Sequence, residues 1–207
     1  MSTVLAIDTA SADFALALAR DGAVVQSVAV PVGQDHSRLL LKTIDDLIGG
    51  DRAALDGIVV VRGPGSYAGI RVGIATAQGL ALALGIPVRG VSTLEAVAHA
   101  SRLDTLLAIH PAGRGEFATQ RFRACAAEGA ITAAVAGGLA GQPLAGEGAG
   151  SLGGHEVGPE ARCRAALDLG LALLAAGDPG HDVDALYLRE PNISLPRKAR
   201  VATSTQS

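Results

Sequence analysis

Gly63-Pro64-Gly65-Ser66-Tyr67-Ala68-Gly69-Ile70-Arg71-Val72-Gly73 joins two apolar stretches of different character. Before it stands Ile58-Val59-Val60-Val61, and after it the Ala- and Leu-rich run Ile74 to Leu84. Four consecutive β-branched residues cannot alternate between core and water, so they predict a strand buried on both faces. Gly and Pro end that strand, and helical periodicity begins beyond them, predicting a helix over Ile70–Leu84. A strand, a glycine-rich turn and a helix in succession can aim backbone N–H groups at an anion. The stretch is therefore first a candidate ligand loop.

Working outward, Val4–Ile7, Phe14–Leu18 and Val24–Val30 read as three antiparallel strands, with Asp21-Gly22 as a hairpin turn between the last two. His36–Ile48 carries Leu39, Leu40, Leu41, Ile44, Leu47 and Ile48 at helical spacing. Val88–Val91 is a further strand, and Ser92-Thr93-Leu94-Glu95 has the spacing of a capping box opening a helix to about Ala100. The order βββ-α-β-α-β-α gives a mixed sheet flanked by helices. It is the half-unit of the actin/Hsp70-like and sugar-kinase superfold, with a ribonuclease-H-like core.

The second half predicts strands at Leu106–Ile109 and Phe117–Arg123, a helix over Glu160–Ala176 and a short strand at Ala185–Leu188. No boundaries can be set in the Ala- and Gly-rich span 124–154. We expect an N-terminal subdomain over residues 1–101, a smaller, reduced one over 102–190, and a disordered polar tail over 191–207.

Composition narrows the function classes. The 207 residues carry a formal net charge of −3, with Lys42 and Lys198 the only lysines, so no autonomous nucleic-acid footprint is visible. Cys125 and Cys163 match no zinc or redox spacing and are expected to be reduced thiols. The N-terminus lacks a basic leader, and the apolar run near Ile74–Leu84, interrupted by Arg71 and Gln78, falls short of the ~20 residues of a membrane span. A soluble cytoplasmic chain is the expectation.

The loop matches no standard enzyme motif. No Lys-Ser or Lys-Thr makes it a phosphate-binding P-loop, and Gly63, Gly65 and Gly69 have the wrong spacing for a dinucleotide fingerprint. Pro64 and Ala68 stand where a nucleophile elbow around Ser66 needs glycines. Gly63 and Gly65 could equally supply unusual backbone angles, with Ser66 as a helix cap. Asp8 ends the first strand, where actin-like ATPases keep a carboxylate for metal and water, but it could also fix the following turn. Asp8, Gly63, Gly65 and Ser66 are thus the candidate cofactor-binding residues. His36, His99, His110, His155 and His181 are scattered, so no metal site is expected.

One further pattern concerns association. Gly69, Gly73, Ala77, Ala81 and Gly85 recur every four residues along the predicted second helix. Such a ridge lets another element approach closely, either the chain's own sheet or a partner's helix.

Val4-Leu5-Ala6-Ile7-Asp8-Thr9-Ala10, the loop itself, Ala77-Gln78-Gly79-Leu80-Ala81 and Gly90-Val91-Ser92-Thr93-Leu94-Glu95 closely resemble the TsaB (YeaZ) family. These are glycoprotease-like homologues acting in tRNA threonylcarbamoyladenosine biosynthesis. Weaker echoes follow at Arg114-Gly115-Glu116-Phe117, Gly146-Glu147-Gly148 and Ala185-Leu186-Tyr187-Leu188-Arg189. The resemblance implies a non-catalytic cytoplasmic subunit with no cofactor of its own, leaving room for ATP or ADP at a subunit junction. It implies pairing with the catalytic paralogue TsaD, or with itself as a homodimer, through helices of the first subdomain. TsaE would dock on the assembly, and tRNA would be met only through the complex. Gly69, Ile70, Gly73, Ile74, Ala77 and Ala81, with Leu40 and Ile44, then become the implied interface. The sequence departs from the family where Tyr67 and Ala68 replace Phe and Thr, and where His110-Pro111-Ala112 replaces Asp-Ala-Arg. A stand-alone actin-like ATPase or kinase, and a peptidase, are the competing readings.

Overall fold

The computed structural model describes residues 2–31, 36–177 and 183–188. Two five-stranded sheets repeat one plan. In the first, β1 (Thr3–Asp8), β2 (Phe14–Arg20) and β3 (Ala23–Val30) form an antiparallel meander. After α1 (His36–Ile48), β4 (Gly57–Val61) pairs parallel to β1. After α2 (Tyr67–Leu84), β5 (Val88–Val91) extends the parallel edge, and α3 (Thr93–Ser101) follows. The strand order is β3-β2-β1-β4-β5.

The second sheet is built from β6 (Thr105–Pro111), β7 (Glu116–Arg123), β8 (Ala126–Val135), β9 (Leu144–Gly146) and β10 (His155–Glu156). Its order, β8-β7-β6-β9-β10, reproduces the first, again with three antiparallel strands and two parallel additions. Single 3-10 turns at Ala136–Gly138 and Gly150–Leu152 stand where the first half has α1 and α2. α4 (Pro159–Ala175) closes the series. These are two ribonuclease-H-like subdomains of the actin/Hsp70-like fold, the second reduced.

The last helix of each half crosses over. α3 follows the first sheet but buries Leu94, Val97 and Ala98 against Leu106, Ala108, Phe122 and Ala145 of the second. α4 follows the second sheet but buries Cys163, Ala166 and Leu167 in the core of the first. A Cβ on Gly170 of α4 would overlap Val59 of β4, so that glycine is required by close helix–sheet approach. β6 alternates accordingly: Leu106 and Ala108 face α3, while Leu107 and Ile109 face Leu139, Leu144 and Ala149 under the 3-10 turns.

Local signals explain several boundaries. Asp21 and Gly22 adopt φ 51° and 79°, the left-handed pair a two-residue hairpin demands. The Ser92 hydroxyl accepts from Leu94 N and the Glu95 carboxylate accepts from Ser92 N, completing the capping box. Ser66 caps α2 through Gly69 N at 3.3 Å, so the helix starts at Tyr67 and not at Ile70. With the extra turn, α2 reaches the length and hydropathy of a membrane span, but its inner face is committed to the core.

Ala185–Leu188 forms no strand. Val183–Leu188 runs as an extended strap, tied by Leu186 N to Arg62 O at 2.7 Å and by Gln78 Nε2 to Val183 O at 3.4 Å. Its apolar residues Val183 and Leu188 reach different cores, which holds it across the elements and not along a sheet edge. The tail expected to be disordered, 191–207, lies outside the described residues.

Candidate functional site

The carboxyl ends of β1 and β6 face each other between the two halves. β1 ends in Asp8, whose Oδ1 accepts from Ala10 N at 2.9 Å, the Asx geometry that fixes the next turn. Its Oδ2 accepts from Arg162 Nε at 2.7 Å. Both side chains are fully buried. The Arg162 guanidinium goes on to donate to Ser11 Oγ at 2.7 Å, Glu147 Oε2 at 3.0 Å and His110 Nδ1 at 3.3 Å. Ser11 Oγ–H donates in turn to Glu147 Oε2.

These partners fix the state of His110. Its Nε2 lies 3.1 Å from Ala10 O, an acceptor only, so that nitrogen carries the proton. Guanidinium is a donor only, so Nδ1 must offer its lone pair. The ring is neutral. Burial, reinforced by the charge of Arg162, pushes the His110 pKa down to about 4. For Glu147, partial burial works to raise the pKa, but the hydrogen bond from the Ser11 hydroxyl, with the charge and hydrogen bond of Arg162, outweighs it, leaving it lowered. Burial likewise works against the Arg162 charge, and Asp8 and Glu147 together overcome it and raise its pKa.

The candidate loop is packed by the chain itself. A Cβ on Gly63 would overlap Leu186 O of the strap; on Gly65 it would stand 2.5 Å from Ala10 O and 3.0 Å from His110 Nε2. On Gly69 and Gly73 it would overlap Thr9 O and Thr9 Oγ1. The glycines thus admit neighbouring backbone and side chains from both halves. Ser66 is exposed and serves as the α2 cap.

The small-residue ridge proves to be the inner face of α2. Gly69, Ile70, Gly73, Ile74, Ala77 and Ala81 are buried within the chain, as are Leu40 and Ile44 of α1. The implied interface therefore needs correcting: these residues are covered within the chain, those of α2 by β4, β1 and Thr9 of the turn after β1, those of α1 by β2 and α2, and are not available to a partner. The outward residues of α2 are Tyr67, Ala68, Arg71, Ala75, Gly79, Leu82 and Ala83, with Leu82 86% exposed. Leu39 and Leu41 are the exposed apolar residues of α1. At the start of α2, the chain's two tyrosines meet. The Tyr67 and Tyr187 rings lie 5.0 Å apart, and Arg71 sits 5.4 Å over the Tyr67 ring while Nη1 donates to its hydroxyl at 2.7 Å.

Sequence reading placed Asp8 at the end of the first strand and missed its partners. Glu147 stood in a noticed motif, Gly146-Glu147-Gly148, and His110 marked a departure from the family pattern. Arg162 and Ser11 carried no signal. Among the described residues, no three His, Cys, Asp or Glu side chains gather as metal ligands would.

Comparison with known proteins follows from this geometry. The family model described as TsaD, tRNA N6-adenosine threonylcarbamoyltransferase, matches residues 25–142. The chain is 37% identical to the TsaB biosynthesis protein of Bacillus subtilis over 122 residues, covering 56% of this chain and 53% of that one. Against Escherichia coli TsaB it is 38% identical over 98 residues, covering 46% and 42%. The chain thus spans about half the length of the curated TsaB relatives it matches. An uncharacterized Mycobacterium tuberculosis protein is 32% identical over 186 residues, covering 87% of this chain and 74% of that one. A crystal structure of a YeaZ-like protein from Pseudomonas aeruginosa superposes with a TM-score of 0.75 at 26% identity, covering 91% of this chain and all of that one. A second solved structure, YeaZ from Pseudomonas aeruginosa, gives 0.73 at 25% with the same coverage. With more than half its length matched by the family model, the chain belongs to the tRNA N6-adenosine threonylcarbamoyltransferase family, on its TsaB (YeaZ) side.

Proposed function

We propose that this chain is a non-catalytic, cytoplasmic subunit of the machinery that makes threonylcarbamoyladenosine in tRNA, acting by pairing with a TsaD-type catalytic paralogue. The observation that carries the reading is a contrast between two places. The crevice where an actin-like enzyme would hold its ligand is filled by the chain's own Asp8, Arg162, Glu147 and His110. The outer face of α2, by contrast, is uncovered and, beyond Arg71, carries Ala75, Gly79, Leu82 and Ala83, with Leu82 86% exposed. Small residues on that face allow close helix–helix approach. The Tyr67–Arg71–Tyr187 cluster at its head supplies the residue types that dominate binding energy at interfaces. The subunit has no cofactor of its own; TsaE docks on the pair, tRNA is met through the complex, and self-pairing uses the same face.

The test is reconstitution with the cognate TsaD, TsaE, tRNA, threonine, bicarbonate, ATP and the enzyme forming threonylcarbamoyl-adenylate. Omitting this chain should abolish product; unchanged product formation refutes the reading. Leu82→Arg should remove co-purification with TsaD at unchanged melting temperature. Unimpaired pairing would move the interface elsewhere.

A second reading, a stand-alone ATPase, is favoured only by Asp8 at the end of β1. It requires ATP turnover by the isolated chain that Asp8→Asn abolishes.

A further inference from the structure

The strand registers make the two halves meet at equivalent positions. Ile7 of β1 pairs with Val60 of β4, and Ile109 of β6 pairs with Gly146 of β9. The next residues along β1, β6 and β9 are Asp8, His110 and Glu147, so the carboxyl ends of both inner strand pairs converge. In α/β sheets such ends are where ligands bind. Here two carboxylates and a neutral imidazole enclose a planar cation supplied by α4. Arg162 donates four hydrogen bonds, two to the first half, at Asp8 and Ser11, and two to the second, at His110 and Glu147.

We propose that Arg162 is the resident cation of this crevice: a side chain acting as the ligand that holds the two subdomains closed. A guanidinium suits the site better than an ammonium, because its forked donors reach acceptors on both sides at once. Removing it leaves Asp8 fully buried without its counter-charge, which is strongly destabilising. The emptied crevice should then accept a free guanidinium ion on the same four partners.

The experiment is thermal unfolding of Arg162→Ala and Arg162→Lys with guanidinium chloride added at low millimolar concentration, against sodium chloride at equal ionic strength. Arg162→Ala should melt roughly 10 °C below the parent. Guanidinium should recover a substantial part of that loss, sodium should not, and the parent should gain nothing. Arg162→Lys should recover less than half. Equal melting of variant and parent, or equal recovery by sodium, overturns the proposal. If Arg162→Ala does not fold, Glu147→Gln decides by amide hydrogen exchange. Exchange should accelerate roughly tenfold at Ala10, whose carbonyl and amide sit in the cluster, with β2 unchanged. Unchanged exchange at Ala10, or uniform acceleration through β2, overturns it.

Discussion

Two glycines of α2 separate packing from propensity. A Cβ on Gly69 would overlap Thr9 O, a backbone atom that cannot swing aside, whereas Gly79 has nothing within contact range. Gly69→Ala should cost roughly 1–3 kcal/mol in urea unfolding, as overpacking against fixed backbone does. Gly79→Ala should gain up to about 1 kcal/mol by helix propensity. Sequence alone could not distinguish them, because Thr9 lies sixty residues before Gly69 along the chain. A separation of 154 residues likewise hid Arg162, which sits between Glu160 and Arg164 in the first turns of α4 and reads as a surface side chain. Only the fold brings it to Asp8. His110 adds a pH signature of definite sign. Its folded pKa of about 4 lies below the ordinary 6.5, so between those values the unfolded chain binds a proton the folded chain refuses. Its contribution is complete above pH 6.5 and drains away as pH falls through about 4; Glu147, also lowered, loses its share in the same direction below its ordinary 4.5. Melting temperature should therefore begin to drop below pH 6.5, before carboxylates titrate. His110→Gln should flatten the 6.5–4 portion of the curve, and an unaltered profile would contradict the assignment.

At the scale of elements, periodicity told where helices lie better than which face points inward. α2 is apolar nearly all round, so its ridge of small residues could serve its own sheet or another molecule with equal chemical sense. The sheet took it, because Thr9 in the turn after β1 sets its carbonyl against Gly69 and its hydroxyl against Gly73 and leaves no room for a Cβ at either. Hence the two faces predict opposite phenotypes. Ala77→Leu, on the buried face, should lower melting temperature by roughly 3–10 °C whether or not a partner is present. Leu82→Arg should leave melting alone and act only on association. Strands with alternating or unbroken apolar runs were legible, as was the capping box at Ser92. The final segment was not: Ala185–Leu188 has the composition of a strand, yet it lies over Gly63 as a strap because its side chains are shared between two cores.

At the scale of the molecule, the duplicated strand order was legible only for the first half. In the second, Ala- and Gly-rich sequence replaces α1 and α2 by single 3-10 turns, removing the helical periodicity that would have announced the repeat. The crossing of α3 and α4 bears on independence. A fragment of residues 1–101 keeps all five strands of the first sheet but loses α4, leaving Val59 and its neighbours on one face without cover. Such a fragment should bind hydrophobic dyes and give poorly dispersed amide spectra; a cooperatively folded fragment would show the boundary after 101 to be sufficient.

That crossing also sets a clock. The strands of the first sheet are complete by Val91, but the helix that roofs them ends at Ala175. At 5–20 residues per second, a ribosome needs roughly 4–17 s to make the intervening stretch. Throughout that interval the nascent chain displays a largely apolar sheet face without the helix that covers it in the finished fold. Dependence on chaperones during synthesis, and slow recovery after dilution from denaturant, should follow from the position of one helix in the order of the chain.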